Sequence, residues 1–145
     1  MIVAVGPERF AFELGQVREI ARGCWPSRLP RAPFGCLGAL SVRGEAMPLL
    51  DLGVLVGARR PVRGPPLEKR LLEGHLVVLG DSPPLAVLVD RVLHVSAEGE
   101  VQRAGDSARV HTQAGDAVLL QPGTLVGVNR RKLLQGALSR EAARS

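Results

Sequence analysis

The sequence predicts a mainly β protein arranged as two small barrels sharing one chain. Three observations carry that prediction. Short apolar runs and period-2 alternation, bounded by Gly and Pro, recur in both halves of the chain. A helix signal and a Pro/Gly/Arg-rich connection separate the halves. The apolar residues that must fill the interior are Val, Leu, Ala and Ile, because the chain has only three Phe, one Trp and no Tyr. At 145 residues and 46% hydrophobic content it has enough apolar surface for one domain with a proper core.

Taken in order, residues 2–5 form an apolar run, Gly6-Pro7-Glu8 supplies turn chemistry, and residues 9–14 resume with Phe10, Phe12 and Leu14 on one face. That reads as a hairpin. Residues 17–21 extend again, with Val17 and Glu19 on a common face, and Pro26, Pro30 and Pro33 keep the following stretch extended. Residues 37–42 and 46–50 make a second hairpin around Arg43-Gly44-Glu45, where Gly44 suits a positive-φ turn position. Pro48 lacks a ladder donor and so points to an edge strand, or to a position whose N–H would face outward. Asp51 reads as the N-cap of a short helix that Gly57 ends, its carboxylate accepting from the backbone of Gly53 or Val54. Residues 58–66 read as an exposed connection and 67–74 as one helical turn.

In the second half, residues 76–79 and 85–89 are continuous apolar runs joined by Gly80-Asp-Ser-Pro-Pro84, a buried hairpin that residues 92–95 continue. Residues 96–117 are polar and nearly aperiodic, and are expected to be irregular with one weak strand over 108–111. Residues 118–120 give a last strand. Residues 129–143 suggest a terminal helix with Leu133, Leu134, Ala137 and Leu138 on one face. The resulting sub-barrels are expected at 1–57, with part of the C-terminus, and at 75–128.

Nothing in the chain spells out catalysis. His75, His94 and His111 are nineteen and seventeen residues apart, without the spacing of a metal site, and each reads as a polar cap or strand-surface residue. No Ser sits in a Gly-x-Ser-x-Gly elbow, and no phosphate-binding Gly-rich loop is present. Asp51, Asp81, Asp90 and Asp106 are scattered and fit caps or turns. Neither an enzyme, a metal nor a cofactor is expected. Cys24 and Cys36 read as free thiols in a reducing cytoplasm, with a disulfide as the alternative. The start of the chain lacks the basic and long apolar segments of a signal peptide, and no apolar run is long enough to cross a membrane, so a soluble cytoplasmic protein is expected. The net charge of +5 rests almost wholly on Arg, with Lys69 and Lys132 the only lysines. Coding bias accounts for such usage, as does a surface for acidic partners or nucleic acid.

Three blocks together resemble the CheW family. Phe10-Ala-Phe-Glu-Leu-Gly-Gln-Val17-Arg-Glu19-Ile20 is similar to the family's early segment ending in Val-x-Glu-Ile. Gly38-Ala-Leu-Ser-Val-Arg43-Gly44-Glu-Ala-Met-Pro48-Leu-Leu-Asp51-Leu52 looks like its most specific stretch, and Leu85-Ala-Val-Leu-Val-Asp90-Arg-Val92-Leu-His-Val95 like its Val-Asp-x-Val strand. The resemblance spans residues 2 to about 97 and all three blocks keep order and spacing. It implies a single CheW-like domain over 1–145, made of two intertwined SH3-like five-stranded barrels with short helices and a C-terminal helix. It also implies a non-catalytic adaptor between chemoreceptor tips and the regulatory domain of a CheA-type kinase, with other CheW-like proteins as further partners. Family positions concerned with receptor coupling match Val17, Glu19, Gly38 and Arg43. Each also has a structural reading: Val17 as core, Gly38 as a packing glycine, Arg43 as the partner of Glu19 or Glu45 within the hairpin.

The chain departs from the family after residue 96. Ser107-Ala-Arg-Val-His-Thr-Gln replaces an apolar strand, and Leu120-Gln121-Pro122 stands where Leu-Asp is usual. A shortened barrel with an impaired kinase-binding face is therefore expected. The competing function is a small basic nucleic-acid-binding barrel, favoured by a pI of about 10.5 and the cluster Arg59, Arg60, Arg63. An absence of surface aromatics and the spread of Arg over all segments count against it.

Overall fold

The computed structural model describes residues 1–62, 64–80, 83–95, 100–104, 107–112, 115–121 and 125, and in them the chain is built on strands with few helical turns. The expected helix over 129–143 and residues Asp81, Arg63 and Asp106 lie outside the described residues. The N-terminal hairpin forms as the turn chemistry requires: β1 (Ile2–Val5) and β2 (Glu8–Phe12) close around Gly6 at φ 58°. Phe10 and Phe12 are buried on one face, but Leu14 leaves the alternation in a 3-10 turn and is 37% exposed. Strand β3 (Val17–Ala21) follows.

The second hairpin joins β4 (Cys36–Val42) to β5 (Glu45–Asp51) through two residues, Arg43 at φ 52° and Gly44 at φ 79°. Two successive positive φ values give the turn whose twist matches an antiparallel pair, so Arg43 shares with Gly44 a conformation that L-residues adopt at a cost. Pro48 lies in an interior strand, not at an edge, since β5 sits between β4 and β7. The ladder tolerates it for a local reason. Ala39, opposite Pro48, exchanges both its backbone bonds with Ser27 at 2.7 Å, and the ladder of β5 with β7 begins only at Leu49.

Helices α1 (Leu52–Leu55) and α2 (Pro65–Glu73) come next, the latter nine residues long where one turn over 67–74 was expected. Pro65 and Pro66 account for the earlier start, because proline is pre-set for the first helical turn. The buried hairpin appears as β6 (His75–Leu79) and β7 (Leu85–Val89). Strand β8 (Arg91–His94) does not continue that hairpin; it crosses to the other sheet and pairs with β1. The stretch expected to be irregular apart from a weak strand over 108–111 holds β9 (Glu100–Ala104), β10 (Ser107–Thr112), which contains that strand, and the start of β11 (Gly115–Leu120). Only two residues separate each consecutive pair, the spacing of tight hairpins. The first pair of connecting residues, Gly105-Asp106, is turn chemistry.

Two sheets result. The first has six strands, ordered β8-β1-β2-β11-β10-β9, and the second five, ordered β3-β6-β7-β5-β4. Each contains one parallel pair, β2 with β11 and β5 with β7, among antiparallel neighbours. The fold class is as expected, mainly β and SH3-like, with one sheet of six strands where five were anticipated. The first sheet takes strands from 2–12 and 91–120, the second from 17–51 and 75–89. The parallel pairing of β2 with β11 and the crossing after Val89 interleave the halves. Asp90 pins that crossing, its N–H donating to the Ala4 carbonyl at 3.0 Å and its Oδ2 accepting from the Gly6 N–H at 2.6 Å.

The core follows from the same interleaving. Val3, Val5, Phe10 and Phe12 of the first sheet pack with Leu50, Leu52, Val77, Leu79, Val87 and Val89 of the second sheet and α1. On its other face the second sheet buries Leu40, Met47, Leu49, Leu76, Val78 and Leu88 against Leu71 of α2. Strands β6 and β7 are thus covered on both faces, which is why they read as continuous apolar runs. Full burial of each such side chain contributes about 1.5–3 kcal/mol.

Candidate functional site

The four residues singled out from the sequence all fall on the second sheet, and two of them meet. Val17 and Glu19 stand on β3, one edge of that sheet; Gly38 is on β4, the opposite edge, and Arg43 in the turn that leaves it. The sheet curls until these edges touch. Arg43 Nε donates to Glu19 Oε2 at 3.0 Å, Arg18 pairs with Glu45 at 3.2 Å, and Ser27 forms an antiparallel bridge with Ala39. Of the alternatives open for Arg43, Glu19 is therefore its partner, while Glu45 goes to Arg18.

The pair is lopsided. The Arg43 side chain is 85% exposed and Glu19 26%. Among the described residues the two terminal nitrogens of Arg43 make no bond, so a guanidinium held at one nitrogen presents its fork to solvent. Val17 is half-buried and packs against the shared core, with a register shift between it and Glu19. Gly38 is buried, at φ 145°, and a Cβ there would lie 2.2 Å from the Ser27 carbonyl oxygen. It acts as a packing glycine, letting the chain at Ser27 close over β4. These residues make a charged clasp across the barrel seam with one displayed cation.

Asp51 does something sequence reasoning missed. It occupies the N-cap position of α1, yet its side chain makes no cap hydrogen bond. Its carboxylate is 1% exposed and receives both terminal nitrogens of Arg70, at 2.7 and 2.9 Å. That hydrogen bond holds the Arg70 guanidinium above its ordinary range, against the opposing effect of burial. A clue was present: an acid inside Leu49-Leu50-Asp51-Leu52 is bound for the interior and needs a cation. Which cation is a matter of where α2 lands, and that is tertiary. Beside this pair, Arg59 donates through Nη2 to Asp90.

Cys36 is buried and Cys24 partly so, and both are free thiols. Burial pushes the Cys36 thiol up, partly offset by its bond to the Gly38 carbonyl. His75, His94 and His111 fall on β6, β8 and β10. Among the described residues no group of three or more His, Cys, Asp or Glu could hold a metal, and no helix is long and apolar enough to cross a membrane. Surface aromatics, expected to be absent, are present, with Trp25 51% and Phe34 55% exposed. Both lie in the Pro-rich stretch before β4, Phe34 in a turn beside Gly35.

Comparison with known proteins agrees with this geometry. The family model of the CheW-like domain matches residues 1–128. Among solved structures, the chain is similar to the scaffolding protein TtCheW from Thermoanaerobacter tengcongensis, with a TM-score of 0.72 and 15% identity over 89% of this chain and 92% of that one. No curated protein matches with significance.

Proposed function

The chain belongs to the CheW-like domain family, and on that premise we propose that it is a non-catalytic chemotaxis adaptor. It couples the cytoplasmic tip of a chemoreceptor to the regulatory domain of a CheA-type histidine kinase, in the cytoplasm, and pairs with other CheW-like proteins. The observation that carries the reading is the family match over residues 1–128. The displayed Arg43 fork, backed by Glu19, is the group that reads a carboxylate or helix-end carbonyls on the receptor. Val17 adds apolar contact beside it, and Gly38 sets the shape of the seam.

An impaired kinase face was expected from a shortened second half whose apolar strand and Leu-Asp are replaced, yet residues 100–120 still contain three strands. We therefore assign both partner faces to the protein. Separate pull-downs with a receptor tip and a kinase regulatory domain test this. Capture of both supports coupling, capture of the receptor alone restores the impaired face, and capture of neither removes the adaptor reading. Because Trp25 and Phe34 are exposed, nucleic acid belongs in the same test; salt-dependent retention of RNA or DNA without capture of either protein would establish the competing function.

A further inference from the structure

A cleft of about 450 Å³ opens between α2, the crossing after β7 and the connection that follows α1. Its walls carry Arg59, Lys69, Arg70 and Arg91, with Glu73 and Asp90, and Asp51 lies behind Arg70. Four cations face three carboxylates, and two of those acids hold their arginines in a particular way. Asp51 takes both terminal nitrogens of Arg70, and Asp90 takes one of Arg59, so each guanidinium is fixed with its Nε–H left over. Buried side-chain nitrogens or oxygens without a partner number three among the described residues: Arg59 Nε, Arg70 Nε and His75 Nδ1. Two of the three belong to this cleft, and His75 follows its wall residue Gly74.

A buried N–H without an acceptor costs about 1–3 kcal/mol, but both Nε atoms are closed to solvent, so the groups open to a ligand are Lys69, Arg91 and the exposed part of the Arg59 guanidinium. Lys69 and Arg91 are exposed and pair with no described residue. Gly74 lets the end of α2 press onto β7, since a Cβ there would lie 2.6 Å from the Val89 carbonyl oxygen. Two of the cleft's four cations, Arg59 and Arg70, are thus oriented by their carboxylates before anything binds.

We propose that this cleft binds a small phosphate-bearing anion. The donors come from three separate elements around one space, which suits a tetrahedral oxyanion better than a planar carboxylate that a single fork would satisfy. The volume is that of a small-molecule site. The proposal is independent of the adaptor reading, which concerns other residues, those of the Glu19–Arg43 seam.

Titration of the full chain with inorganic pyrophosphate, followed by calorimetry and by backbone amide shifts, tests it. Saturable binding is expected, with the shifts centred on Lys69, Arg70 and Arg91. The double variant Lys69→Ala/Arg91→Ala removes exposed side chains, so it folds as the parent does and weakens binding by about tenfold or more. A control variant, Arg28→Ala/Arg31→Ala, takes the same charge from an exposed stretch elsewhere and leaves affinity unchanged. Absence of saturable binding overturns the proposal, as does equal loss in both variants, which would mean attraction by net charge alone. Equal affinity for acetate or glutamate would overturn the assignment to phosphate.

Discussion

Two ion pairs in this molecule join residues of similar separation in sequence, Asp51 with Arg70 and Glu19 with Arg43, and they do opposite things. The first is a fork-to-fork pair whose side chains are 1% and 13% exposed; the second is a single bond between side chains 26% and 85% exposed. A buried charge deprived of its partner is strongly destabilising, whereas an exposed pair contributes little because water solvates either member alone. The same chemistry thus serves the fold at one place and leaves a group free for recognition at the other. Burial decides which.

The comparison breaks most readily at Asp51. Asp51→Asn keeps the volume but strands the Arg70 charge, and should destabilise the protein by about 3–5 kcal/mol in denaturant unfolding. A loss below about 1 kcal/mol would mean that Arg70 escapes to water, and the contrast between the pairs would fail. Gly38→Ala comes next. The new methyl meets Ser27 backbone at a φ unsuited to L-residues, so a loss of about 2–4 kcal/mol is expected, and an unchanged unfolding midpoint would return Gly38 to the list of contact residues.

Cys36 sharpens the comparison because it lines the same hollow of about 190 Å³ as Asp51. Its ionisation is pushed up in the folded state, so the unfolded chain loses the thiol proton first as pH rises. Stability should therefore fall through the alkaline range, by less than about 1.4 kcal/mol per pH unit from this group. Alkylation of Cys36 should lag that of Cys24 by about tenfold, and Asp51→Asn should shorten the lag. The smallest effect is expected at the seam. A double-mutant cycle on Glu19→Ala and Arg43→Ala should return a coupling of about 0.2–1 kcal/mol, measurable by unfolding.

How much of this was legible in the sequence follows the same division. Hairpins marked by Gly6-Pro7 and Arg43-Gly44 were readable, because turn geometry is local and demands particular residues. The apolar runs of β6 and β7 were readable as buried. Strand β9 was not, and β10 and β11 were readable only in part, over 108–111 and 118–120, since Glu100-Val-Gln-Arg-Ala and Ser107-Ala-Arg-Val-His-Thr carry few apolar residues, although Gly105-Asp106 was a turn signal at hand. Pro48 was readable as a position without a ladder donor, but not the interior place of its strand, because the bonds that excuse it come from Ser27, twenty-one residues away. At the site, the residue types Glu19 and Arg43 could be named from a resemblance, but their meeting depends on the sheet closing on itself. Asp51 was placed at the right helix end and given the wrong partner, because α2 supplies a cation that outcompetes two backbone N–H groups.

The account rests on Arg43 being displayed for a partner and idle in the fold. Arg43→Ala, assayed for capture by a receptor tip and for thermal unfolding in the same preparation, measures both halves of that statement. Capture should weaken by about tenfold or more while the unfolding temperature stays within about 2 °C of the parent. Undiminished capture, or a fall of several degrees, would contradict it.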